Sequence, residues 1–195
     1  IWVELSQKYL TDVLGENWQD EYYVWDCAAG TGNLLAGLTN KYNIWASTLD
    51  QQDVEVMHDR ISNGANLLHD HVFQFDFLND DFSKLPLPLQ TIINDPEKRK
   101  KLVVYINPPY KRGLGVANTN FHNEEIGEAK DELYIQFLYR IYKEINGCKI
   151  GIFSKLKLLN APDFETMRLT FQAKLEKLFI VPAYTFDNVK GKFPI

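Results

Sequence analysis

A chain of 195 residues with 45% hydrophobic and 13% aromatic residues can bury one ordinary domain core, which excludes a disordered polypeptide. It contains no run near the roughly 18 apolar residues that a membrane-spanning helix needs. A net charge of −5 excludes a uniformly basic surface, but residues 1–97 carry 16 acids and 4 bases whereas residues 98–195 carry 10 acids and 17 bases. The second half therefore suits a polyanion on one side, although two solvated faces of unlike composition explain the split equally well. Cys27 and Cys148 show neither metal-ligand nor redox spacing, so a reducing cytoplasm is the default compartment. His58, His69, His71 and His122 are scattered, with no metal set around them. The chain opens at Ile1 without a signal peptide and stops at Phe193-Pro194-Ile195, and it reads as one domain (1–195) cut from a longer protein.

Apolar runs and helical patterns alternate along the chain. Val3 to Leu14 is amphipathic, Tyr22 to Trp25 reads as a strand, and a glycine-bearing turn leads into helix-like Leu34 to Leu38. Ile44 to Leu49 predicts a second strand, Val54 to Ile61 a second helix, and His71 to Phe75 a third strand. Leu89 to Lys101 has room for a charged helix, and Leu102 to Ile106 is a buried-type strand stopped by Pro108 and Pro109. Lys111 to Gly127 is a long polar connection. Leu133 to Ile145 then predicts a helix, Lys149 to Phe153 a fifth strand, Phe164 to Leu175 a helix and Leu178 to Val181 a sixth strand. Such alternation means an α/β fold with a doubly wound, mostly parallel sheet and helices on both faces.

Four constellations carry chemistry. Asp26-Cys27-Ala28-Ala29-Gly30-Thr31-Gly32-Asn33 sits on the turn after the first strand, where small residues let backbone approach a ligand; a plain tight turn reads the same. Leu35 stands where a dinucleotide fingerprint has its third glycine, which disfavours a large pyrophosphate. Asp50 ends the second strand and suits either two ribose hydroxyls or a helix cap. Asp76-Phe77 follows the third strand, as an acceptor and cover for an adenine or as a loop cap beside a buried ring. In Asn107-Pro108-Pro109-Tyr110, an amide oxygen and a carbonyl fixed by proline rings offer two acceptors to a planar amine, and Tyr110 offers a stacking face. Alone, that turn is equally a rigid strand end; with a nucleoside site on the same sheet edge the chemical reading prevails.

In order and spacing, the run Asp26 to Leu35, Asp50, Asp76-Phe77 and Asn107 to Tyr110 resemble the motifs of N6-adenine DNA methyltransferases of restriction–modification systems, as does Asp131-Glu132-Leu133-Tyr134 with its following helix and strand. The resemblance spans about residues 3–195 and departs from the family at Cys27, where proline is usual. It implies a Rossmann-like class I methyltransferase fold with S-adenosylmethionine as cofactor. Asp26, Gly30 and Gly32 would hold the methionine end, Asp50 the ribose, and Asp76 with Phe77 the adenine, with Ala28 also among the cofactor-binding residues. Asn107, Pro108 and Tyr110 would be catalytic, acting on an adenine flipped from DNA, with Lys98-Arg99-Lys100-Lys101 and Lys111-Arg112 near its phosphates.

The family also implies a separate recognition domain, a specificity or nuclease partner, and a seventh, antiparallel strand between the fifth and sixth, most of which the sequence is expected to lack. Cytosine C5 chemistry is excluded because neither cysteine follows a proline. Methylation of a protein glutamine amide or an RNA amine remains an alternative, as does a non-catalytic nucleic-acid-binding module of the same fold.

Overall fold

The computed structural model describes residues 1–110 and 116–181, with the backbone of Phe193–Pro194. Helix α1 (Trp2–Leu14) and the single turn α2 (Trp18–Glu21) precede β1 (Tyr23–Asp26), β2 (Ile44–Thr48), α3 (Gln51–Ser62) and β3 (Val72–Gln74). There follow α4 (Leu87–Asn94), α5 (Pro96–Arg99), β4 (Leu102–Ile106), α6 (Leu133–Glu144), β5 (Lys149–Ile152), α7 (Lys157–Asn160) and α8 (Glu165–Thr170), then β6 (Ile180–Val181) and β7 (Phe193–Pro194).

Five strands form one parallel sheet in the order β3-β2-β1-β4-β5. Every residue of β2 and β4 is buried, as expected for strands covered on both faces. Alternate side chains serve opposite cores. Trp25, Trp45, Val104 and Ile106 pack with α4 and α6, while Val24, Ala46, Val103 and Tyr105 pack with α1 and α3. A third cluster, including Ile126, Tyr134, Leu138, Phe164 and Met167, joins α6 to α8. The doubly wound α/β reading holds, and no helix among the described residues is long and apolar enough to cross a membrane.

Five expectations change. The helix anticipated over Leu34 to Leu38 is only a 3-10 turn, Asn33–Leu35, because Gly37 turns the chain at φ +88°. Leu89 to Lys101 divides in two at Asp95, whose side chain accepts from the amides of Glu97 and Lys98, with Pro96 opening the next turn. The helix after Phe164 stops at Thr170, and the sixth strand shortens to Ile180–Val181. That strand pairs antiparallel with β7 in a separate two-stranded sheet, so among the described residues the last strand is not inserted beside β5. In the polar connection, residues 111–115 lie outside the described residues; 3-10 turns follow at Val116–Asn118 and Glu124–Asp131.

Tyr134 is fully buried, and its hydroxyl has no partner among the described residues. An unpaired buried hydroxyl costs about 1–3 kcal/mol, so Tyr134→Phe should leave stability unchanged or raise it by about 1 kcal/mol. Tyr139 donates to Glu125 Oε2 at 2.6 Å, so Tyr139→Phe should lose about 1 kcal/mol. Urea unfolding of both variants checks this; equal losses would mean that the Tyr134 hydroxyl has a partner after all.

Candidate active site

Because all five strands run in one direction, the residues that follow each strand collect along one edge. Between β1 and β4 the chain order reverses, the point at which a parallel α/β sheet takes a ligand along its carboxyl edge. Asp26 closes β1 on one side of it, and Asn107 follows β4 on the other. Asp50 and Asp76 come after β2 and β3, farther along the same edge.

The turn after β1 is braced from two helices. Arg60 of α3 donates to the Thr31 carbonyl and Asn33 Oδ1, each at 2.7 Å, and Gln7 of α1 donates to the Ala36 carbonyl at 2.9 Å. Gly32 has φ +81°, and a Cβ there would stand 3.1 Å from Met57 Sδ, so the turn lies hard against α3. Gly30, at φ +52°, would meet nothing within 4 Å and presents its backbone on an open side. The helix that was to supply free amides beyond the turn is absent, and the close approach of the turn itself is what remains.

The three carboxylates differ in environment. Asp26 is 1% exposed and accepts from the Ala28 amide at 3.0 Å; burial pushes its carboxyl up to about 7 despite that bond. Burial also drives the neighbouring Cys27 thiol well above its ordinary range, with the Asp26 charge adding to the effect. Asp50 is exposed. Its Oδ1 caps α3 by accepting from the Gln52 amide at 2.9 Å, and its Oδ2 has no hydrogen bond among the described residues. Asp76 uses both oxygens locally, Oδ1 for the Leu78 amide at 3.0 Å and Oδ2 for Asn79 Nδ2 at 2.9 Å. Phe77 is 2% exposed and packs on Trp25 and Phe137, with centroids 5.5 and 5.0 Å away. This is a loop cap beside a buried ring, and Phe77 presents no open face to a ligand.

On the other side, Asn107 is exposed while Pro108 is buried. Tyr110 is half-buried; its hydroxyl lies 2.7 Å from the Phe153 carbonyl and 3.0 Å from Asn107 Oδ1, donating toward both. A phenol has one proton, and the nearer carbonyl competes best for it, so the Asn107 oxygen keeps acceptor capacity. Burial holds the Tyr110 phenol far above its ordinary range, and it stays neutral. The ring leans on Tyr134 at 5.6 Å.

The basic run is misplaced with respect to the site. Lys98 to Lys101 lie at the amino end of β4, where the Tyr23 amide donates to the Lys101 carbonyl at 2.8 Å. The whole of β4 separates them from Asn107. Arg99 is spent on the carbonyls of Asn146 and Ile93, and Lys100 on Glu97. Lys111 and Arg112 lie outside the described residues. Sequence reasoning missed the cations on the correct edge, Lys155 and Lys157 after β5, which converge on Glu132, itself 2% exposed. It also missed Arg140, buried on α6 under the Asp76 loop. Among the described residues no group of three or more metal-ligating side chains forms.

The raised Asp26 carboxyl has a pH signature. Its proton is held up to about pH 7 in the folded chain but leaves near pH 4 in the unfolded one, so its contribution to stability is complete below pH 4 and lost as pH rises to 7. Asp26→Asn removes that dependence. Its stability relative to the parent should improve by on the order of 2 kcal/mol between pH 4 and pH 8, read by denaturant unfolding. A constant difference across that range would show that Asp26 ionises normally.

No family model matches the chain, and no curated protein matches it. Solved structures do. The methyltransferase subunit of a type I restriction–modification system from Streptococcus thermophilus superposes with a TM-score of 0.59 at 18% identity, over 89% of this chain and 38% of that one. A DrdV–DNA complex superposes with a TM-score of 0.63 at 14% identity, over 94% of this chain and 24% of that one. The chain thus spans between a quarter and two fifths of the length of these similar proteins. Likeness at such identities speaks for architecture, and together with the parallel five-stranded sheet it gives this chain the Rossmann-like fold of class I methyltransferases.

Proposed function

We propose that the chain transfers a methyl group from S-adenosylmethionine to the N6 amine of adenine in DNA, as the modification part of a restriction–modification system. The observation that carries the reading is that the Asn107 to Tyr110 turn and the Asp26 to Gly32 turn follow the two neighbouring strands, β4 and β1, at the switch point of the sheet. The superposed structures named for a restriction–modification methyltransferase subunit and for a DNA complex agree with it. The residues present fit the cofactor at two of three places. Gly30 offers open backbone for a small charged tail, and the Asp50 oxygen without a partner suits ribose hydroxyls. At the third, Asp76 can accept from an adenine amine only by sharing with Asn79, and Phe77 contributes packing under the loop.

When bound, the cofactor supplies an electrophilic methyl on a sulfonium. Asn107 Oδ1 and the Pro108 carbonyl would accept the two amine hydrogens, which favours a pyramidal nitrogen with its lone pair turned toward the β1 side of the switch point. The same two acceptors would hold the nitrogen while its surplus proton passes to water. Tyr110, tied to the Phe153 carbonyl, holds the Asn107 amide in place and backs the flipped base. Lys155 and Lys157, about a third exposed, stand on this edge to meet phosphates.

Asp50→Ala should weaken cofactor binding by about 1–3 kcal/mol in calorimetry, and unchanged affinity would remove Asp50 from the site. Asn107→Ala should lower turnover by about 10²-fold or more with cofactor affinity intact. Full turnover in that variant would reduce the motif to a structural turn. Tritium transfer from labelled cofactor to DNA, RNA and protein in parallel tests the substrate class. Label in DNA adenine is expected; label in RNA or protein instead would overturn the assignment, and label in none would leave a binding module.

A further inference from the structure

The loop that carries Asp76 is fastened to two distant parts of the chain. Asn79 reaches both ways: its Nδ2 donates to Asp76 Oδ2 at 2.9 Å, while its Oδ1 and its carbonyl accept from the amide and the Nδ2 of Asn120, each at 3.2 Å. Asn120 belongs to the segment downstream of the Asn107 to Tyr110 turn. Below this junction the Arg140 guanidinium donates to the carbonyls of Phe77 and Asp80 and to Glu144 Oε2. It also lies 4.2 Å from the centre of the Phe82 ring and 4.9 Å from that of Phe121. One buried cation therefore packs against both banks, since Phe82 belongs to the Asp76 side and Phe121 adjoins Asn120. Loss of a planar, five-donor fork in such a place is not made good by lysine.

We infer that Asn79 is a positioning residue that links the adenine end of the cofactor site to the segment following the target turn, with Arg140 as its fixed support. The inference rests on the function proposed above, because it takes Asp76 as the acceptor of an adenine amine. Such an amine must share the carboxylate with Asn79 Nδ2. Any adjustment of Asn79 then passes through two hydrogen bonds to the backbone and side chain of Asn120, because both ends of the Asn79 amide are engaged. Cofactor binding would in this way register the segment that follows the target turn, so that the two ligands bind cooperatively through a contiguous hydrogen-bonded path.

The test is amide hydrogen exchange across residues 116–121 with and without saturating S-adenosylhomocysteine, together with calorimetry of the same ligand. In the parent protein the ligand should slow exchange at the Asn120 amide. Asn79→Ala removes an exposed side chain, so the unliganded melting temperature should hold; affinity should fall about fivefold, and the ligand-induced slowing at Asn120 should vanish. Arg140→Lys should lose the same slowing with its charge retained. A purely structural role for Asn79 would leave the transmitted protection in place, and that result, with the parent binding normally, overturns this inference alone. Failure of the parent to bind the ligand at all overturns the proposed function with it.

Discussion

Parallel pairing is the constraint from which the rest of the molecule follows. Two parallel strands cannot be joined by a tight turn; the chain must travel back across a face of the sheet before it re-enters. Each strand in the order β3-β2-β1-β4-β5 consequently discharges its next residues at one edge, and the returns from β2, β3 and β4 cover the faces with helix. Both effects meet at β1 and β4, where the direction of winding changes. That juxtaposition is a result of topology, and side chains only decorate it. Asp26 and Asn107 come to adjacent strand ends because β1 and β4 are neighbours, with Trp25 opposite Val104 in register.

Along that edge one residue type does three different things. Asp26, buried with a single backbone donor, has its carboxyl pushed up to about 7; Asp50, in solvent, caps a helix with one oxygen and keeps the other available; Asp76 gives each oxygen one hydrogen bond from its own loop. The opposite case is Arg140, whose guanidinium is accommodated in the interior because carbonyls, a carboxylate and the negative faces of several rings all meet it. Buried charge in this fold is tolerated where the partners are complete.

The strands were legible in the sequence because burial on both faces leaves few polar positions in the central ones. Leu102 to Ile106 and Ile44 to Thr48 could hardly have been anything else. The helices were less legible where one residue overrode a pattern: Gly37 cut short a run of leucines, and Pro96 with its Asp95 cap split a charged stretch. The turns bearing Asp26, Asp50, Asp76 and Asn107 fell on the expected edge because each directly follows a strand. The rest of the site was invisible because it is built across sequence distance. Arg140 occupies what reads as the solvent side of an amphipathic helix, and only the surrounding aromatic rings, contributed from residues 75–82 and 121, make that position interior. The basic run before β4 misled for the opposite reason, being close to Asn107 in sequence and a full strand away in space.

The complete enclosure of β4 also bears on how such a protein diverges. Each of its five side chains is fitted between two helical layers, so a replacement must match volume and remain apolar. Val, Ile, Leu and their like can be exchanged there with compensating changes opposite, and such exchanges erase identity without altering the path of the backbone. The turns obey another rule, since they carry chemistry and can be lengthened or recut without touching the core. Drift in the interior and renovation at the edge together permit a chain to keep the same framework as a distant protein at 14% identity. In this architecture the order of the strands holds the framework in place where the letters no longer match.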